Sequence, residues 1–502
     1  MPSPHECHLT AEVANRVGLA DRHYPTGEPE GSPTRSAADV CGCGSARRCE
    51  EQLVGFSVTT LTNGNYVVTS PSWSDGAHLG ATTWCDGAEG CIGVVTAANS
   101  LIDTGSNVFA LTNGNYVVQS MNWGTDIGSA VGAVTWADGG VATVGVVSAA
   151  NSLIGSSTLD GLSGFVIALE NGNYVAVNPN WSNGSAHVGA VTWRDGLSPA
   201  TGIISASNSL VGSTSYDSVG YVVALRNGNY VVASPFWDNG DIVNAGAVTW
   251  GDGMQGVAGT ISPQNSLVGT SPYDALGNGG GIGITPLTDG NYVIASPGWN
   301  SGGVEDVGAA TWADGTAPIA GTITASNSLI GSVDHDSVGS GGVVALPNGD
   351  YAVASDQWGL GNLFGVGAVT WVQGGGTYSG IVTVANSLFG STGNDWVGGQ
   401  PFLDSGVTAV DNGDLIIVTP LWDNASVENA GAATLTRKNL FTPGPIDARN
   451  SVVGTLAEEG SSMVTAYDAN AKRLVVGRRR NNMISILNPD AIFADGFDAN
   501  GH

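Results

Sequence analysis

Residues 217–270 read DSVGYVVALRNGNYVVASPFWDNGDIVNAGAVTWGDGMQGVAGTISPQNSLVGT. Four short runs rich in Val, Ile, Thr and Tyr (YVVAL, YVVAS, AGAVTW and GTIS…NSLV) alternate with clusters of Gly, Asn, Asp and Ser, the pattern of strands joined by turns. Asn227-Gly228 between the first two runs predicts an antiparallel hairpin closed by a two-residue, mirror-image turn with φ > 0 at both central residues.

The same stretch recurs along most of the chain. Turns of the NGNY kind begin at Asn63, Asn113, Asn171, Asn227, Asp289, Asn348 and Asn412. Motifs NSL or NSV begin at Asn99, Asn151, Asn208, Asn265, Asn327, Asn386 and Asn450, with a GAVTW-like run between the two motifs each time. Successive turn glycines lie 50, 58, 56, 62, 59 and 64 residues apart. A β-solenoid needs a shorter and stricter coil length, so the spacing favours an all-β, single β-propeller of four-stranded blades with loops of unequal size.

After the seventh NSV motif, Ser461–Tyr467, Arg473–Arg480 and Met483–Leu487 look like three strands of another unit. Residues 10–18, TAEVANRVG, are similar to a fourth strand and would latch into it, joining the ends of the chain and removing an open edge. This favours eight blades, with seven plus a terminal hairpin as the alternative. The expected organisation is a Cys-containing segment over 1–53, with a linker over 24–50, then the propeller over 54–487 and a tail over 488–502.

Tryptophan obeys the repeat at 13 of its 14 positions, either after the second strand or at the end of the third. Such rings suit blade-to-blade packing, since each can bury about 150–250 Å². The loop-proximal Trp181, Trp237, Trp299 and Trp422 are the candidates for stacking on a ligand. An acid also recurs nine residues after the NS motif: Asp160, Asp217, Asp274, Asp336, Asp395 and Glu459. Either these carboxylates hold a divalent cation such as calcium at a common rim, or each accepts hydrogen bonds from its own turn.

The chain has 502 residues and 76 Gly, with 15 basic residues against 43 acidic ones, a formal net charge of −28. Between Glu51 and Leu435 the only basic residues are Arg194 and Arg226, against 29 acids. A field of that sign repels phosphate backbones, which excludes nucleic acid as the expected partner. No run approaches the roughly 18 apolar residues of a membrane-spanning helix. Cys85 and Cys91 flank one short loop and could close a local disulfide, implying an oxidising compartment. Cys41, Cys43 and Cys49 form a CGC…C cluster without the doubled CxxC spacing of a zinc site. The opening residues MPSPHECHLTAEVANRV carry no basic-then-apolar leader.

The run Asp217-Ser218-Val219-Gly220, with Val222–Leu225, Asn227-Gly228, Val231–Pro235 and Gly246-Ala247-Val248, resembles the FG-GAP repeat of integrin α-chain propellers and related bacterial proteins. The units, over Val54 to Leu487, also look like the haemagglutinin-like repeats of bacterial surface proteins. Val219 stands where that family has Phe, and Ser234-Pro235 replaces its Ala-Pro. The family's Asp-rich calcium loop is here a bare Asn-Gly turn, so the resemblance carries no calcium to that position. Residues 492–498, IFADGFD, resemble a short C-terminal tail of exported bacterial proteins.

Catalytic patterns are sparse: His78, His187 and His335 sit at non-equivalent places in the repeats, and no G-x-S-x-G, HExxH or P-loop occurs. The expectation is a non-catalytic, extracellular or cell-surface binding propeller that takes a glycan or protein through its loop face, with no cofactor beyond possible calcium. The alternative is a polysaccharide hydrolase or lyase with carboxylates near a central channel.

Overall fold

The computed structural model describes residues 8–9, 54–124, 130–157, 160, 164–278, 283–399, 406–437 and 441–488. Among these the chain is all-β, with no α-helix and only two short 3₁₀ turns, at Gly460–Ser462 and Arg479–Asn481. It divides into two compact units, Met1–Leu210 with Gly253–Gly259 and Val211–Asp252 with Thr260–His502.

Each repeat builds one antiparallel sheet whose strands neighbour one another in chain order, the arrangement of a propeller blade. In the first unit the opening repeat uses Ser57–Thr60, Tyr66–Ser74, Leu79–Cys85 and Leu101–Ile102. In the second unit the fourth repeat uses Tyr221–Ala224, Tyr230–Ser234, Ala247–Gly251 and Leu267–Val268. After the seventh repeat, Met463–Asp468, Arg473–Arg478 and Met483–Leu487 form a sheet of three strands. The expected fourth strand, residues 10–18, lies outside the described residues, as do Cys7, Cys41, Cys43, Cys49 and the linker over 24–50.

Two local expectations are corrected. First, the hairpin turn has three residues rather than two. Leu111 accepts from the Gly114 N–H at 3.2 Å while its own N–H donates to the Asn115 carbonyl at 2.8 Å, and only Gly114 is left-handed, at φ 93°. This is a type I turn followed by a left-handed bulge glycine. Second, the run expected as a single fourth strand divides in two. Its front half, Gly145–Val146 in the second repeat, pairs in parallel with Leu101–Ile102 of the preceding sheet, while its back half, Leu153–Ile154, closes its own sheet. Gly321–Thr322 and Gly380–Ile381 do the same to the sheets before them. The first repeat's Gly93–Val94 pairs antiparallel with His8–Leu9. The Asn of the NS motif makes the reversal between the halves: Asn151 Nδ2 donates to the Val146 carbonyl and its Oδ1 accepts from the Ser148 N–H.

The core lies between consecutive sheets. Tyr116, Tyr174, Tyr230, Tyr292 and Tyr351, the last letter of the second to sixth turn motifs, are fully buried; Tyr116, Tyr292 and Tyr351 sit in clusters of mainly aliphatic residues, and burial pushes the Tyr116 phenol up to about 12. Third and fourth strands are pinned by a hydroxyl pair in every repeat, from Thr83–Ser100 through Thr249–Ser266 to Thr434–Ser451, at 2.6–2.8 Å. Each pair satisfies two buried groups, worth on the order of 1 kcal/mol.

Candidate functional site

The sheet of each repeat has two ends. One carries the hairpin turn between the first two strands and the turn after the third strand, which is Asp-Gly in the first five repeats; the other carries the loop between the second and third strands and the loop leaving the fourth.

The second end holds the residues the sequence singled out. Trp181, Trp237, Trp299 and Trp422 are only 3–5% exposed. Trp299 and Trp422 belong to packed clusters between sheets, and the Nε1 atoms of Trp181, Trp237 and Trp422 have no hydrogen-bond partner among the described residues. Their rings are therefore packing elements with no open face, which corrects the expectation that they stack on a ligand. Their backbones shape the loop: the Trp237 carbonyl accepts from the Gly246 N–H at 2.9 Å, and the other three repeat the bond.

The recurring acids are at most 1% exposed. Asp217 accepts from the N–H groups of Ser213, Thr214 and Asp238 and from the Thr214 hydroxyl. Asp395 repeats the set with Ser391, Thr392 and Asp423, and Asp160 does so with Ser156, Ser157 and Ser182. Asp274 and Asp336 likewise take two N–H groups of their own turn and one from the next loop. Of the two readings, the structure favours the turn acceptor. Burial raises the Asp395 carboxyl above its usual range against the pull of these bonds. At the seventh position the longer Glu459 reaches Arg478 of the terminal sheet, with Nε–Oε1 at 2.7 Å and both side chains buried. Burial would raise the Glu459 carboxyl, but Arg478 and the N–H groups of Thr455 and Leu456 hold it below its usual value.

The residue before five of these acids is left-handed although it is not glycine: Tyr216, Tyr273, His335, Asn394 and Glu458 have φ of 59–71°. The N–H of Tyr273, His335, Asn394 and Glu458 donates across to the adjoining loop, as Tyr273 does to Val243 at 3.0 Å. Tyr216 and Tyr273 are exposed as a result. A rare backbone state was invisible in residue names alone.

The first end shows what the repeated Asn, Trp and Asp-Gly residues do. The Gly139 carbonyl, in the Asp-Gly turn of the second repeat, accepts from Asn63 Nδ2, Asn65 Nδ2 and Trp84 Nε1 of the first repeat at 2.8, 2.8 and 2.9 Å. Gly196, Gly253 and Gly315 each receive the same three donors from the repeat before them. Glycine is required in this turn, since a Cβ on Gly139 would stand 1.8 Å from the Gly114 carbonyl oxygen.

Grooves open at this end at equivalent places of the third, fifth and seventh repeats. One of about 340 Å³ is bounded by Trp193, Asp195, Ser198, Asn208 and the Gln255–Ala258 segment. Another of about 220 Å³ is bounded by Trp312, Asp314, Pro318, Asn327 and Thr377. A third of about 320 Å³ in the seventh repeat has Leu435 where the others have Trp. In the first, the indole is partly exposed and its Cβ lies against the Gly256 backbone. Asp195 accepts from Leu197 N–H and Ser198 Oγ, and Asp314 accepts from Thr316 N–H and Oγ1, which lower the Asp314 carboxyl's pKa. Arg194 donates Nη1 to the Trp193 carbonyl at 2.8 Å, and burial lowers its pKa. These grooves lie at the sheet end opposite to the one expected. The signal was present in sequence as Trp followed two residues later by Asp-Gly.

Cys85 and Cys91 are joined as a disulfide at the same end of the first repeat. No helix among the described residues is long and apolar enough to cross a membrane. No curated protein matches the chain in sequence. Among solved structures it is similar to a streptogramin B lyase structure (9% identity, 87% of this chain and 94% of that one covered, TM-score 0.28) and to the holo pyranose dehydrogenase PQQ domain from Coprinopsis cinerea (12%, 86% and 92%, TM-score 0.22). Residues 60–108, 110–164, 168–221, 224–278, 286–340, 345–399 and 409–462 match the family described as "Repeat of unknown function (DUF5650)", and the chain belongs to that family.

Proposed function

We propose that this chain is a non-catalytic binding protein of the cell exterior that reads a glycan through the grooves at the Asp-Gly end of its repeats. The observation that carries this reading is the recurrence of one groove, with a partly exposed indole, a carboxylate and an Asn-closed turn, at equivalent positions of the third and fifth repeats. A flat amphipathic ring beside directed polar groups suits a sugar, which offers an apolar C–H face and a hydroxyl rim. The recurring buried acids support the non-catalytic part, because their oxygens are engaged as turn acceptors. The disulfide and the low-lysine acidic composition support an exterior location, and the FG-GAP-like motif order supports adhesion by analogy.

The test is titration calorimetry against a panel of soluble polysaccharides, with product analysis on the same mixtures. Saturable binding without new reducing ends is expected, weakened at least about tenfold by Trp193→Ala with Trp312→Ala and unchanged by Tyr216→Ala. Absence of binding across the panel, or steady release of product, overturns the proposal.

A further inference from the structure

The seventh repeat's groove differs in chemistry from the other two. Leu435 replaces the indole, and Leu388, Pro443 and Leu487 complete an apolar floor. Arg437, Arg449 and Asp447 stand on its rim, two basic side chains against one acid, and Asp447 takes the Arg449 Nε at 2.9 Å. The surrounding charge is also reversed: residues 436–487 hold eight basic residues against four acids, whereas residues 51–435 hold two against 29. An acidic segment is repelled by the earlier repeats and accepted here.

Leu487 ends the last strand and lines this groove, so the chain that follows starts at its edge. That chain, PDAIFADGFDANGH over 489–502, sets Ile492, Phe493 and Phe497 among Asp490, Asp495 and Asp498 and contains no Lys or Arg. Phe493 is six residues beyond Leu487, a reach of up to about 20 Å at ~3.3–3.6 Å per residue. A cavity of about 150 Å³ accepts a benzene ring, and this groove of about 320 Å³ has room for a Phe ring with its neighbours. We propose that residues 489–502 dock in cis into the seventh-repeat groove, an aromatic side chain on the leucine floor and the flanking aspartates against Arg437 and Arg449. Tethering supplies an effective concentration in the millimolar range, so weak contacts suffice.

Hydrogen exchange on the full chain tests this, read at the 442–450 segment for the parent, Phe493→Ser with Phe497→Ser, and Arg449→Glu. Exchange there rises at least about threefold in both variants if the proposal holds, independently of protein concentration. A labelled peptide of residues 488–502 then binds the Phe-to-Ser chain at least about tenfold more tightly than the parent, whose groove is filled. Unchanged exchange in both variants, equal peptide binding to parent and variant, no peptide binding to either, or protection that grows with protein concentration each overturns it.

Discussion

The first four repeats and the last three solve the same junction differently. In the first four, two Asn side chains and one indole converge on a single carbonyl of the following turn. In the fifth, Asp289 replaces an amide donor, Asn291 turns its Nδ2 onto it, and Trp312 Nε1 has no partner among the described residues. In the sixth and seventh, Asp350 and Asp414 replace the second Asn; a carboxylate cannot donate, so Asn348 and Trp371 bond back to Asp350 within their own sheet. The seventh meets the terminal sheet at this end through Asn412 Nδ2, which donates to the Tyr467 hydroxyl at 2.6 Å, and at the opposite end through the Glu459–Arg478 ion pair. The two ends of the repeat array are thus coupled by different forces, neutral amide bonds to a backbone carbonyl early, and a phenol contact with a buried charge pair late.

The strongest way to break the late junction is Arg478→Met, which leaves Glu459 buried without its partner. A loss of about 3–5 kcal/mol is expected, read by urea unfolding. Acid acts on the same pair. The Glu459 pKa is lowered on folding, so its contribution is complete above the unfolded value of about 4.3 and fades as pH falls through the lower folded value. Protection of the Arg473–Arg478 amides relative to their intrinsic exchange rate therefore falls as pH drops below the unfolded value, while the early clamps, which contain no titrating donor, respond less; an equal fall at both refutes the contrast. Asn173→Ala breaks an early clamp, since its Nδ2 serves the Gly253 carbonyl at 2.7 Å and its Oδ1 the Gly196 N–H at 3.0 Å. A cost of about 2 kcal/mol follows, chiefly from the orphaned Gly196 N–H, since the Gly253 carbonyl keeps Asn171 and Trp193. The smallest effect sharpens the comparison by repair: Asp289→Asn should return a donor to the fifth junction and gain about 1 kcal/mol in midpoint-derived stability.

Much of this was legible in residue order. Period, strand content, the antiparallel hairpins and the Cys85–Cys91 pairing follow from spacing and turn chemistry, which act over a few residues. The missing parts depend on neighbours in space. Asn113-Gly114 is compatible with a two-residue or a three-residue turn, and the choice rests on the longer loop bringing Asn113 and Asn115 to the Gly196 carbonyl. Trp237 and Trp250 are both once-per-repeat indoles, and nothing in their flanks reveals that one is buried between sheets while the other edges onto the next turn. The acids were readable as turn acceptors from the Ser or Thr four residues upstream of each, but the second loop they hold, such as Asp238 for Asp217, lies 21 residues away.

The parallel strand that the second to seventh repeats each lend backward sets an order of events during synthesis. The edge at Leu101–Ile102 stays open until Gly145–Val146, about 43 residues later, leaves the ribosome. At ~5–20 residues per second that delay is roughly 2–9 s. Maturation therefore lags translation by one module throughout, and a nascent chain halted mid-array always exposes one unfinished edge, a handle for chaperones or for premature self-association.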